Sequence, residues 1–419
     1  MEIADVFLEW NEYAARKVLY PRDFDGDLII RTSASKIVAI TGVRRSGKSS
    51  FLMLLYQRLK REGHMVGYVN LEDSRIKDNR EALDEVIKWF GDTGYLILDE
   101  ITSAYDWQGW LARSHELLKD QLHLIVSSSQ KSLLVPNKPL RGRMIPFEML
   151  PLSFREYLAF RGVKLKKTTA SRGEVERMFL EYATYGGFPE VALTEDKTDR
   201  VRILNSYFRD IVGLDIAEAA HEDPGTAELF GKYALQSPYF SASKCLNFFK
   251  SLGFRVGKER LLRLEQYSEA GSLFTFLSIF SFSIRDRAQY PRKAYCSDHG
   301  FYYAITGKID WGRLFENIAL LELRRKAKGL SEICYWKNQQ GFEIDFVVME
   351  GTAIREAIQV VYSLGDVNTR KREVRSLLAC NNDLKPQVCY VLTRDVSETK
   401  TFDGIEITFI PLMDWLLKS

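Results

Sequence analysis
The chain has 419 residues, 46% of them hydrophobic and 27% charged, with no internal repeat and no low-complexity segment. That excludes a disordered or fibrous chain and leaves room for two to four globular domains. Lys and Arg number 59 against 56 Asp and Glu, a net charge of +3, so no whole-molecule field points to nucleic acid.

From the N-terminus, MEIADVFLEWNEY is acidic and amphipathic rather than signal-like. No apolar run is long enough to span a bilayer. Cys245, Cys296, Cys334, Cys380 and Cys389 are scattered without C-x-x-C spacing, which argues against zinc or a disulfide framework and fits a reducing cytosol. A cytoplasmic protein with no membrane partner is expected.

Residues 36–41 (KIVAIT) read as a short buried strand. Gly42, Val43, Arg44, Arg45, Ser46, Gly47, Lys48 and Ser49 follow and spell G-x-x-x-x-G-K-S, the phosphate-binding loop of nucleoside-triphosphate enzymes. From Ser50 a helix runs to Leu59, with Phe51, Leu54 and Leu55 at helical spacing. Strand, Gly-rich turn and helix together make the motif credible. Successive backbone N–H groups from Gly42 to Ser50 would face a phosphate chain, aided by the positive helix N-terminus. Lys48 would reach the β- and γ-phosphates of ATP, and the Ser49 hydroxyl would ligate Mg²⁺.

Further strands are expected at 65–71, 95–98, 123–127 and 144–150, with helices at 79–90 and 107–120 between them, an alternation that implies a parallel sheet wrapped by helices. The third strand reads YLILDE, an apolar run ending in two acids where such sheets bind ligands. Asp99 would hold Mg²⁺ through water and Glu100 would polarise the attacking water, which favours hydrolysis over transfer to a hydroxyl. The 123–127 strand ends in Ser127, Ser128, Ser129 and Gln130, any of which could sense the γ-phosphate. Arg141 and Arg143 flank Gly142; they form a surface turn or place a guanidinium near the γ-phosphate, in cis or from a neighbouring subunit.

Residues 154–191 turn helical and end in YGGFPE, a helix-ending turn at the point where a lid would fold over a nucleotide. From 228 to about 300 the pattern is three helices and a strand pair, that of a winged helix. Its third helix carries Lys258, Arg260 and Arg263, which either meet phosphates or form a solvated basic face. From 307 a second α/β unit follows: a helix from 311 bearing Glu316, strands at 333–337, 342–349 and 353–361, a helix at 370–379 and a strand at 387–392.

With GVRRSGKS, YLILDE, VSSSQK, LRGRMIPFEMLPLSFREYL, YGGFPEV, GRLFENIALLEL, GFEIDFVV and IQVVYSL in hand, the chain resembles bacterial and archaeal P-loop ATPases of the AAA+ and STAND-like classes that end in a restriction-endonuclease-like domain. The resemblance implies an ATPase core at 1–153, a helical lid at 154–226, a winged helix at 227–304 and a restriction-endonuclease-like α/β domain at 305–419. It gives Gly187 and Pro189 a place against the nucleotide. It also marks Glu316 and Asp345 as acids of a nuclease site, with Glu343 beside them. There the pattern departs: the acid-x-Lys element reads Gln359-Val360-Val361, so Gln359 offers one neutral oxygen and the lysine is missing. Arg370, Lys371 and Arg372 are the nearest replacement cations in sequence. A nuclease fold kept for binding or assembly is the favoured reading of that domain. The resemblance thus implies an ATP- and Mg²⁺-dependent hydrolase, a switch acting on or near DNA. Its rivals are an ATP-regulated DNA nuclease and a non-catalytic scaffold for a protein partner; a homo-oligomer fits any of the three.

Overall fold
The computed structural model describes residues 2–129, 138–166, 168–327 and 331–418. The chain divides into two compact units, one of Met1–Pro151 with Ala270–Ser272, the other of Leu152–Glu269 with Leu273–Ser419.

The first unit runs α1 (Ile3–Arg16), α2 (Gly26–Ser33), β1 (Ile37–Thr41), α3 (Lys48–Arg61), β2 (Val66–Asn70), α4 (Ala82–Phe90), β3 (Gly94–Asp99), α5 (Trp107–Leu118), β4 (Leu122–Ser128) and β5 (Met144–Glu148). Its strands form one parallel sheet in the order β2-β3-β4-β1-β5. Helices cover both faces, so the strands are apolar at nearly every position. In β1, Val38 and Ile40 pack with Phe51, Leu55 and Ile97 on one face, while Ile37 and Ala39 pack with Phe7, Leu98 and Trp110 on the other. This is the parallel α/β sheet of a P-loop nucleotide-binding fold. The register sets Ile40 against Ser127 and Leu98 against Val126, so the C-terminal ends of β1, β4 and β3 lie side by side.

The second unit continues with α6 (Phe154–Phe160), α7 (Thr169–Tyr185), α8 (Pro189–Leu193), α9 (Lys197–Asp210), α10 (Glu218–Ala220), α11 (Pro224–Gln236), β6 (Tyr239–Phe240), α12 (Ala242–Ser251), α13 (Lys258–Ala270), β7 (Phe274–Leu277), α14 (Ile284–Gln289), β8 (Arg292–Cys296) and α15 (Gly300–Thr306). It closes with α16 (Trp311–Lys326), β9 (Ser331–Lys337), β10 (Glu343–Glu350), β11 (Ala353–Val360), α17 (Val367–Leu384), β12 (Val388–Thr393), β13 (Glu398–Phe402), β14 (Ile405–Pro411) and α18 (Leu412–Lys418). Local signals set several boundaries. Ser153 caps α6, accepting from the Glu156 N–H at 3.2 Å, while the Glu156 carboxylate accepts from the Ser153 N–H at 2.8 Å.

Three short antiparallel strands pair in the order β6-β8-β7. The larger sheet has the order β13-β14-β12-β11-β10-β9, antiparallel at both edges and parallel across β11, β12 and β14. Helix α17 covers one face through Val374, Leu377 and Cys380. Helices α16 and α18 cover the other, and Phe154 and Phe179 of α6 and α7 join the same core, with Phe179 and Phe315 rings 5.7 Å apart. The segments expected as lid, winged helix and C-terminal domain therefore fall in one compact unit, and the expected lid helices share a core with the C-terminal sheet. Among the described residues no helix is long and apolar enough to cross a membrane, and all five cysteines are buried free thiols.

Candidate functional site
The loop after β1 is shaped by two glycines. Gly42 has φ 141°, and a Cβ there would sit 2.2 Å from the Met149 carbonyl oxygen. Gly47, at φ 101°, turns the chain into α3, and its carbonyl accepts from the Phe51 N–H at 3.0 Å. Lys48 is 4% exposed; its ammonium donates to the carbonyls of Gly42 (3.0 Å) and Val43 (3.3 Å) and lies 3.8 Å from Glu100. The Ser46 hydroxyl is buried with no hydrogen-bond partner. An orphan hydroxyl inside a glycine-shaped loop, beside a buried ammonium and a helix N-terminus, suits an anionic chain of acceptor oxygens. Arg44 reaches out to Glu72 at 3.2 Å, and Ser49 and Ser50 stand half-buried on the first turn of α3.

The end of β3 meets this loop. Asp99 is fully buried; one carboxylate oxygen accepts from the Ser127 hydroxyl and the other from the Tyr68 hydroxyl at 2.7 Å. Glu100 follows in the left-handed region at φ 52°, which a non-glycine residue adopts at a cost of roughly 1–2 kcal/mol. Two bonds hold it there. Its N–H donates to Ser127 Oγ at 3.0 Å, and its carboxylate accepts from the Ser129 N–H at 3.1 Å. Burial pushes the Glu100 carboxyl above its ordinary value; Lys48 pulls it back and Asp99 adds to the rise. Ser127 thus sets both acids, and Ser128 bonds Thr102 at 2.9 Å. Gln130 lies outside the described residues.

Sequence reading missed Arg22. Its guanidinium donates to the Ser46 carbonyl at 2.6 Å and the Leu150 carbonyl at 2.9 Å, tying the phosphate loop to the end of β5. The residue is 24 positions from Ser46 and belongs to no motif; only the fold reveals it.

Other expected residues stand elsewhere. Arg143 precedes β5, its carbonyl accepting from the Ile37 N–H at the start of β1. It is bonded to Glu116 at 3.1 Å and to the Pro139 carbonyl at 3.0 Å. At about 3.3 Å per residue, the five residues of parallel β1 separate that end from the phosphate loop by roughly 15 Å. Arg141 is exposed near the same end. The fold therefore does not bring Arg141 or Arg143 to its own loop, which corrects the expectation of a role in cis. Gly187 donates its N–H to the Asp298 carboxylate at 2.8 Å, and Asp298 also accepts from the Gly300 N–H at 2.8 Å. Pro189 opens α8. Arg260 and Arg263 of α13 both turn to Glu222, at 2.8 and 3.0 Å.

Glu316 of α16 and Glu343 and Asp345 of β10 converge on a cavity of about 150 Å³ lined also by Tyr239, Lys293 and Arg313. Gln359 does not line it, and its buried Oε1 has no hydrogen-bond partner. Arg370 and Arg372 are paired with Glu398 and Glu373. The cation at the acids is Lys293 of β8, 2.6 Å from Asp345, 3.0 Å from Glu343 and 3.7 Å from Glu316. The expectation of a cluster without lysine is therefore corrected: the lysine comes from a strand 52 residues upstream of Asp345.

Residues 34–158 match the family model described as an AAA domain, and residues 311–415 match a domain of unknown function, DUF4143. An uncharacterized protein of Methanocaldococcus jannaschii is 28% identical over 394 residues, covering 91% of this chain and 86% of its own. One of Haemophilus influenzae is 25% identical over 400 residues, covering 91% and 94%. A solved structure of the replication initiator DnaA, bound to AMPPCP and single-stranded DNA, overlaps 61% of this chain and 91% of its own at 14% identity and a TM-score of 0.28, too slight a likeness to carry an argument. The phosphate loop on a parallel sheet, within a stretch that matches the AAA model, marks the first unit as a P-loop nucleotide-binding fold.

Proposed function
We propose that the chain is a Mg²⁺-dependent ATP hydrolase whose nucleotide state switches the rest of the molecule. The observation that carries this reading is the convergence of Lys48, Asp99 and Glu100 at the C-terminal edge of one parallel sheet. The loop from Gly42 to Ser50 would cradle the phosphates, with Lys48 on the β- and γ-phosphates. Ser49 and, through water, Asp99 would hold Mg²⁺, which supplies charge neutralisation when bound. Glu100, held by Ser127 and Ser129, would orient and polarise the attacking water. Phosphate release from ATP by the purified chain, with Mg²⁺ and with chelator, tests it: hydrolysis that needs Mg²⁺ is expected, and none under either condition defeats the proposal.

The element order α11-β6-α12-α13-β7-β8, with the sheet order β6-β8-β7, supports a winged helix. The six-stranded sheet with α16 before β9 and α17 between β11 and β12 supports a restriction-endonuclease-like fold. DNA is the partner class these modules carry. With Arg260 and Arg263 held by Glu222, phosphate contact through α13 rests on Lys258 and on release of that pair. Salt-dependent DNA binding, with and without ATP, measures it.

A further inference from the structure
We infer that Lys293 is the resident cation of the Glu316–Glu343–Asp345 cluster and stands where a restriction-endonuclease-like site would hold a divalent metal. The inference deepens the endonuclease-like reading of this sheet and is independent of ATP hydrolysis. The ammonium lies within 3.7 Å of all three carboxylates and is only 5% exposed. It donates to Asp345 at 2.6 Å, and the rings of Tyr239 and Tyr335 lie 5.8 and 5.9 Å away.

Other donors reach the same carboxylates. Asp345 spends its second carboxylate oxygen on the Val360 N–H at 2.9 Å. Glu316 accepts from the Tyr295 hydroxyl at 3.0 Å, and Glu343 from the Tyr239 hydroxyl and from Lys337 at 3.2 Å. Mg²⁺ demands a near-octahedral shell of oxygens at about 2.0–2.1 Å and keeps several waters. An ammonium within 3.7 Å of all three carboxylates repels that ion and fills its place. Gln359, the third ligand of the family pattern, does not line the cavity. These residues do not fit a divalent metal while Lys293 is in place.

The test uses the full chain without nucleotide, with bound Mn²⁺ counted by electron paramagnetic resonance; any ion held near the phosphate loop is common to every variant. Wild type and Asp345→Asn are expected to hold the same number of Mn²⁺ ions. Lys293→Ala is expected to gain about one ion, and Lys293→Ala with Asp345→Asn to lose it again. An ion bound by wild type and lost in Asp345→Asn overturns the inference, as does a folded Lys293→Ala that gains none. If Lys293→Ala folds only with Mn²⁺ present, the metal is replacing the ammonium, as inferred. If it does not fold at all, the comparison of wild type with Asp345→Asn decides.

Discussion

On the proposed function Lys48 would carry nucleotide binding, because it is the buried cation of the loop and its present partners are weak substitutes for phosphate. Lys48→Ala is expected to weaken ATP binding by on the order of 100-fold, as loss of a charge-assisted contact to a polyanion does, while circular dichroism stays unchanged. Glu100→Gln keeps shape and loses charge; ATP should still bind while turnover falls by roughly 10²–10⁴-fold in single-turnover assays. Wild-type turnover in that variant would remove Glu100 from the chemistry. Asp298 gives a pH-dependent prediction. Burial pushes its carboxyl up to about 7, against the pull of the Gly187 and Gly300 N–H groups and of Arg325. A folded value above the unfolded one means the native state holds the extra proton, so this group's contribution declines as pH rises from about 4 to about 7. The stability of wild type relative to Asp298→Asn should therefore shrink across that range in thermal unfolding. Lys48, Asp99 and Glu100 were legible in sequence because each sits inside a local motif. Arg22, Lys293 and Asp298 were not, since their partners lie 24 to 128, 52 and 111 positions away.

At the scale of elements, the parallel sheet was legible strand by strand, because strands buried on both faces are continuous apolar runs and the helices between them are amphipathic. The edge strand β13, with the sequence ETKTF, was not; its residues are mostly exposed and carry no apolar alternation. The turn between α7 and α8 was found but given a nucleotide to touch. In the structure Gly187 packs within its own unit: a Cβ there would come 2.5 Å from the Leu152 carbonyl oxygen and 3.3 Å from the Tyr182 ring. Gly187→Ala is accordingly expected to destabilise the second unit by roughly 1–3 kcal/mol, as overpacking does, and to leave ATP affinity alone. Weaker ATP binding at an unchanged melting temperature would restore the nucleotide role.

At the scale of the whole molecule, the α/β alternation ends near residue 150, and the first unit runs to Pro151. The segments beyond it were read as separate domains because sequence shows local pattern only; Phe154, Phe179 and Phe315 reveal a common core through contacts across more than 100 residues. The consequence for activity is concrete. With Lys293 among the acids and Gln359 outside the cavity lining, the full chain is expected to leave linear, supercoiled and single-stranded DNA intact over hours with Mg²⁺ or Mn²⁺, ATP-loaded or not. Cleavage by wild type that Asp345→Ala abolishes would establish the nuclease instead.

The 3.8 Å approach of Lys48 to Glu100 bears on how the site avoids idling. One ammonium serves two masters: the carboxylate that would activate water and the phosphates that would be attacked. On the proposed function, Glu100 would be muzzled by its own neighbour until a triphosphate drew the ammonium away, so the arrival of fuel would also be the release of the catch. Taking the charge from Glu100 removes the competitor, and Glu100→Gln should hold ATP more tightly than wild type as well as longer.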